Sequence, residues 1–162
     1  MQEYAGCHMN YKSPLADPKN RAILRLLQKK PRAPISELAR KIGMSNPAVK
    51  ERVLRLEESG ILEGYRLELN PEAFGYHVIA FVRIRPLPGH VSKVAELVQS
   101  MPQVTECHRI TGEDCFILKL YLREISDLDS ALGKILAHGQ TTTSIVQASP
   151  VPPRSLPIGD AP

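Results

Sequence analysis

The sequence predicts an α+β chain in two units, an N-terminal winged helix-turn-helix followed by a ferredoxin-like βαββαβ sandwich. Three observations carry that expectation. The run from Ser36 to Tyr65 contains two short amphipathic helical patterns, a tight turn between them and a Gly-punctuated hairpin after them. From His77 onward, period-2 and period-3.6 apolar patterns follow one another as strand, helix, strand, strand, helix, strand. The net positive charge sits in the front: residues 1–68 hold 13 Lys plus Arg against 8 Asp plus Glu, and residues 69–162 hold 8 against 9. The expected layout is an N-terminal extension over 1–14, a winged helix-turn-helix over 15–69, a linker over 70–76, the sandwich over 77–149 and a Pro-rich tail over 150–162.

In the first unit, Asp17 caps an opening helix, Pro18 takes its first position, and Ile23, Leu24 and Leu27 form its apolar face. The next helix is expected to start at an N-cap on Ser36, with Glu37 in the first turn where the helix dipole favours an anion. Leu38, Ala39 and Ile42 point inward and Gly43 ends it. Either Ser45 or Asn46 caps the helix after that, because each carries an oxygen able to accept an orphan backbone N–H. Pro47 costs no hydrogen bond in a first turn. Val49, Val53 and Leu56 fall at i, i+4 and i+7, a stripe that must dock. Gly60 is placed to cap the end, and Ile61–Leu69 reads as a short strand, Gly64 and the alternating Tyr65-Arg66-Leu67-Glu68-Leu69, the wing.

With the stripe docked, Ser45, Asn46, Pro47, Lys50, Glu51 and Arg55 project, Arg52 sits at the stripe's edge, and Arg66 lies on the wing. A docked helix with a polar N-terminal half outward is what insertion into the DNA major groove requires. Between Arg40 and Arg55 stand five basic residues against Glu51 alone, a patch suited to phosphates. Double-stranded DNA is the expected partner.

In the second unit, His77–Pro86 reads as a strand and Val91–Met101 as a helix with Val91, Val94, Leu97 and Val98 inward. Strands over Val104–Thr111 and Cys115–Arg123 are joined by the turn Gly112-Glu113-Asp114. A helix capped at Ser126 runs to His138, and Thr141–Ser149 closes the pattern. Such a fold leaves one sheet face without helices, where Phe81, Ile117 and Tyr121 need a cover. A second copy supplies one, giving a two-fold dimer. Gly112 lets backbone N–H groups approach an anion and Asp114 pairs with an ammonium, a combination that suits an α-amino acid, although Gly-x-Asp turns also simply close hairpins.

The words ISELARKIG, SNPAVKERVLRLEESGIL and EGY, followed by LNPEAFGY, resemble the DNA-binding half of the Lrp/AsnC, or feast/famine, transcriptional regulators. Val104–Pro153 resembles their effector domain, so the resemblance spans nearly the whole chain. Asn20 departs from it, standing where this family usually has an acidic residue. The resemblance implies a sequence-specific regulator that senses an amino acid or related metabolite, and homodimers that assemble further, up to an octamer. It places the effector near a contact between dimers, at Thr111, Gly112, Asp114, Thr141 and Thr143, with Thr142 and Ser144 turned to the other side.

Other classes fare less well. His8, His77, His90, His108 and His138 are scattered, with no HExxH, no Gly-x-Ser-x-Gly and no phosphate-cradling loop, so no catalytic residue, metal or cofactor is expected beyond an amino-acid-like effector. Cys107 and His108 are strand neighbours that face opposite ways, so one metal does not easily take both. The strand Cys115–Tyr121 lacks the basic-Gly-aromatic word of an RNA-binding sheet. Two alternatives stay open, a nucleoid-organising architectural DNA-binding protein and an effector-sensing subunit of a metabolic enzyme; the helix-turn-helix opposes the second. Cys7, Cys107 and Cys115 form no disulfide framework, and no apolar run reaches the ~20 residues of a membrane span, so a cytoplasmic protein is expected.

Overall fold

The computed structural model describes residues 13–159. The expected N-terminal extension therefore lies outside the described residues up to residue 12, and Cys7 and His8 with it. The described chain forms two compact units, one running to Leu67 and including the segment from Pro153 onward, the other spanning Glu68–Pro152.

The first unit opens with a 3-10 turn, Pro14–Ala16, and three helices: α1 (Pro18–Lys29), α2 (Ile35–Ile42) and α3 (Asn46–Glu58). Asp17 caps α1, its Oδ1 accepting from the Lys19 N–H at 2.8 Å. Ile23, Leu24 and Leu27 of α1, Leu38, Ala39 and Ile42 of α2, and Val49, Val53 and Leu56 of α3 close one core. Lys19 Nζ donates to the Ile42 carbonyl at 2.6 Å, satisfying an orphan acceptor at the end of α2. Gly43 follows at φ 70°, the left-handed conformation that a Cβ disfavours.

Two local expectations are corrected. Ser36 is not the cap of α2: Pro34 holds that position without a side-chain bond, and its carbonyl accepts from the Glu37 and Leu38 N–H groups. Ile35 packs against the core, so burial draws the helix start forward past the better capping residue. The wing strand is also missing. Residues 63–70 are exposed, with no helix or strand among them. A strand exists only through a partner's N–H and C=O groups, and period-2 alternation does not supply one.

The second unit opens with a 3-10 turn, Pro71–Phe74, inside the expected linker. It then builds β1 (Val78–Pro86), α4 (Val91–Gln99), β2 (Val104–Arg109), β3 (Phe116–Leu122), α5 (Asp127–Leu136) and β4 (Gly139–Ile145). The antiparallel sheet has the order β2-β3-β1-β4. Ala80, Val82 and Ile84 alternate inward on β1, and Phe116, Leu118, Leu120 and Leu122 on β3, to meet Val94 and Val98 of α4 and Ala131, Leu132 and Ile135 of α5. Ser126 precedes α5 without capping it. The Asp127 side chain instead fastens the incoming loop, its Oδ2 accepting from the Arg123 and Glu124 N–H groups at 3.2 and 3.1 Å. The last strand also starts earlier than its sequence pattern and ends at Ile145, since Gly139 already pairs with Pro86. A Cβ on Gly139 would come within 2.7 Å of the Arg85 carbonyl oxygen, so glycine is what lets β4 begin there.

The opposite face carries Ile79, Phe81 and Arg83 from β1 and Ile117, Lys119 and Tyr121 from β3, paired in register Ile79↔Tyr121, Phe81↔Lys119 and Arg83↔Ile117. Phe81, Ile117 and Tyr121 thus share the helix-free face, as their alternation implied. Phe81 is 39% exposed.

Candidate nucleic-acid interface and effector site

α3 presents the first candidate surface. Ser45 is its cap, with Oγ accepting from the Ala48 N–H at 3.4 Å, so the choice between Ser45 and Asn46 falls to Ser45. Asn46 and Pro47 then occupy the first turn. Burying Val49, Val53 and Leu56 turns Pro47, Lys50, Glu51 and Arg55 to the exterior, and Ser45 and Asn46 are exposed at the tip. Lys50 makes no ion pair among the described residues, whereas Arg55 Nη2 sits 2.5 Å from Glu51 Oε1 one turn back. Leu54, 50% exposed, lies on the same outward stripe as Pro47, Lys50 and Glu51. It was not singled out in the sequence, yet its spacing of i+4 from Lys50 on the polar side was visible there. An exposed apolar side chain on such a surface suits a thymine methyl group.

Arg52 has a different employment. Its Nη1 reaches Asp17 Oδ2 at 2.5 Å and Asn20 Oδ1 at 2.7 Å, while Asn20 Nδ2 donates to the Pro14 carbonyl at 2.8 Å. Asn20 is 9% exposed and has a protein partner at each side-chain atom, which is how an amide serves at this position. The Arg52 guanidinium and the Lys19 N–H together hold the Asp17 carboxyl below its ordinary range. Arg52 therefore ties α3 to the start of α1 and is not among the outward-reaching groups. Arg66 is exposed on the irregular segment 63–70.

The other charges near this surface are also organised. Glu37 lies 2.6 Å from Lys30 Nζ and 3.0 Å from Lys41 Nζ, and these two cations hold its carboxyl down at about 2.

The second candidate surface lies around the Gly112-Glu113-Asp114 turn. Gly112 has φ 116°, a conformation open to glycine, and Thr111 and Gly112 are exposed. The Asp114 carboxylate is only 20% exposed, with Oδ2 3.6 Å from Arg83 Nη1 and Oδ1 3.9 Å from Arg85 Nε. Arg85 also pairs with Glu113. Register and ion pairing together separate Asp114 from Thr141 and Thr143. Thr141 and Thr143 stand opposite Ile84 and Val82 on the helix-covered side, whereas Thr142 stands opposite Arg83, on the side where Asp114 finds its arginines. Within one chain, then, Asp114 is not brought together with Thr141 and Thr143. Arg83 and Arg85 were missed in the sequence reading; the alternation in Val82-Arg83-Ile84-Arg85 already placed both on one face of a strand whose other face is apolar.

Cys107 and Cys115 are free thiols, and burial raises the Cys107 thiol above its usual range. Cys107 pairs with Leu118 and His108 with Ile117, on opposite faces. No helix among the described residues is long and apolar enough to cross a membrane.

Two family models match the chain. Residues 17–63 match a winged helix-turn-helix DNA-binding model, and residues 79–156 match the Lrp/AsnC ligand binding domain. The HTH-type transcriptional regulator LrpA of Pyrococcus horikoshii is 33% identical over 125 residues, 75% of this chain and 89% of that protein. The structure of Bacillus subtilis LrpC superposes with a TM-score of 0.78 at 29% identity, covering 82% of this chain and 95% of that one. A Neisseria meningitidis transcriptional regulator, NMB0573 in complex with L-Met, superposes with a TM-score of 0.80 at 26% identity, covering 88% of this chain and 96% of that one.

Proposed function

The chain belongs to the Lrp/AsnC family of transcriptional regulators, and from that premise we propose how its own residues divide the work. It is a DNA-binding transcriptional regulator responsive to an amino acid or related metabolite. α3 is the reading helix. The observation that carries this is the opposition of its two faces: Val49, Val53 and Leu56 sealed in the core, and Asn46, Pro47, Lys50, Glu51 and Leu54 turned outward from a Ser45-capped N-terminus. Asn46 and Pro47 approach base edges, while Lys50 and Arg55 meet phosphates, Arg55 exchanging Glu51 for the backbone. The chain carries out no catalysis, requires no cofactor and acts in the cytoplasm.

The helix-free sheet face binds a second copy, and dimers assemble further. Two reading helices related by a two-fold axis then meet a pseudo-palindromic operator with half-sites one or more turns apart. At the effector site, Asp114 takes the ligand's ammonium and Arg83 with Arg85 take its carboxylate, so the zwitterion replaces an existing ion-pair cluster with a better-matched one. The L-Met complex of the Neisseria relative supports an amino-acid ligand here.

Salt-dependent binding to operator and random duplexes tests the reading helix. Lys50→Ala should weaken both and reduce the salt slope by roughly 1 for each phosphate no longer neutralised. Asn46→Ala should change sequence preference instead. Operator affinity and salt slope that stay at parental values in both folded variants would remove DNA reading from α3.

A further inference from the structure

The expected Pro-rich tail, 150–162, is not a free appendage over its described length: from Pro153 onward it belongs to the reading unit. Arg25 Nε and Nη2 both donate to the Ile158 carbonyl, at 3.2 and 3.0 Å, and Nη2 also reaches the Gly159 carbonyl at 3.3 Å. Gln28 Nε2 donates to the Leu156 carbonyl at 2.6 Å. The Ile158 side chain is half-buried against the core cluster formed by α1, α2 and α3.

Three features make this a fitted surface. Arg25 and Gln28 are three residues apart on α1, hence neighbours on one helix face. The carbonyls of Leu156 and Ile158 are two residues apart on a chain without secondary structure, a spacing at which an extended segment presents successive acceptors to the same side. Pro157 lies between them with no N–H of its own, and its fixed φ favours an extended backbone whose carbonyls remain available to outside donors. A segment pre-set in this way loses little conformational freedom on docking.

We infer that the Arg25/Gln28 face of α1 is a docking site for an extended Leu-Pro-Ile peptide, and that its occupant is the segment 156–159 of the same chain. The chain then enters the reading unit a second time, downstream of β4, at a face remote in sequence from the outward residues of α3. Recognition runs through backbone carbonyls, with Ile158 as the apolar anchor among the described tail residues, so its neighbours are free to vary. Leu156 illustrates the division: its carbonyl is held while its side chain is 84% exposed.

Hydrogen exchange read by mass spectrometry tests the docking on the full chain, on a chain ending at Pro153, and on Ile158→Asp and Gln28→Ala. Amides of α1 should exchange roughly 3- to 10-fold faster in the shortened chain and in Ile158→Asp, with a smaller change in Gln28→Ala, while β1 and β3 keep their parental rates. Unchanged exchange over Pro18–Lys29 in the shortened chain overturns the proposal. A photo-crosslinking residue at the exposed position 156, in a mixture of isotopically heavy and light copies, identifies the occupant. Crosslinks from 156 to α1 within single-mass chains support the same-chain seat, and heavy-light crosslinks overturn it in favour of exchange between copies.

Discussion

The two units close their cores by different means. In the reading unit, three helices close in sequence order, and Ile23, Leu38, Val49 and Leu56 are sealed by helices that follow one another directly. In the sheet unit, β1 pairs with β3 and β4, strands far away in sequence, and only one of the two sheet faces is buried by α4 and α5. The reading unit therefore closes its core with its own three helices. The sheet unit ends its own folding with Ile79, Phe81, Ile117 and Tyr121 still seeking cover. That contrast supports the proposed division, with DNA contact in the first unit and self-association in the second, from how completely each buries what it exposes.

The largest expected effect probes the self-sufficiency of the reading unit. Leu56→Ala removes a fully buried side chain and should destabilise that unit by about 2–5 kcal/mol, leaving the sheet unit's transition in place. Denaturant unfolding followed by probes in each unit checks this. A joint shift of both transitions would break the comparison, because the units would then share one cooperative core. On the other side, Phe81→Asp should leave the sheet unit folded while weakening its self-association at least ~30-fold, the scale of losing one anchor side chain of ~2 kcal/mol. Light scattering across a dilution series gives the answer, and parental masses throughout would put the self-association surface on another face.

Asp114→Ala sharpens the division within the sheet unit. It removes a charge-assisted hydrogen bond, and the effector's affinity should fall roughly ten- to a hundredfold while effector-free operator binding survives. Thr142→Val and Thr143→Val decide between faces: only the first shares the side of Arg83, so it should reduce ligand affinity more, by a few-fold for a neutral hydroxyl. Calorimetry with the ligand found by thermal-shift screening of the amino acids provides the measurement. The reverse order would return the pocket to the helix-covered side and to a partner's Asp114.

The smallest effect concerns acid. Asp17 and Glu37 have folded-state affinities for protons below those of the unfolded chain, because Arg52 stabilises the first carboxylate and Lys30 and Lys41 the second. Their stabilisation is complete above the ordinary carboxylate range and is lost as pH falls, for Glu37 between about 4.5 and about 2. For Asp17, solvent screening limits the contribution to no more than about 1 kcal/mol. Asp17→Asn should accordingly lower reading-unit stability near neutral pH and flatten its decline in the acid range, a slope readable by denaturant titration at several pH values. A parental slope would mean that the Asp17–Arg52 pair contributes nothing measurable.

The sequence by itself determined whatever depends on neighbours along the chain. The 3.6-residue spacing of Val49, Val53 and Leu56 oriented α3 and exposed Lys50 and Glu51; Asp17 marked one helix start, and Ser45 or Asn46 another, through local oxygen acceptors; and strand alternation placed Phe81, Ile117 and Tyr121 on one face. Only the tertiary structure decided what depends on partners from afar. Ile35 joined the core and moved the start of α2 ahead of Ser36. Residues 63–70 found no strand to pair with. Arg52, which its spacing placed only at the edge of the apolar stripe, was taken by Asp17 and Asn20. Register with β1 sent Thr141 and Thr143 to one side and Thr142 to the other, and the carbonyls of a Pro-rich tail met donors on α1. Local pattern specifies which face a side chain takes, because backbone geometry fixes the period. Which group it meets there depends on contacts between segments distant in sequence, and no period encodes those.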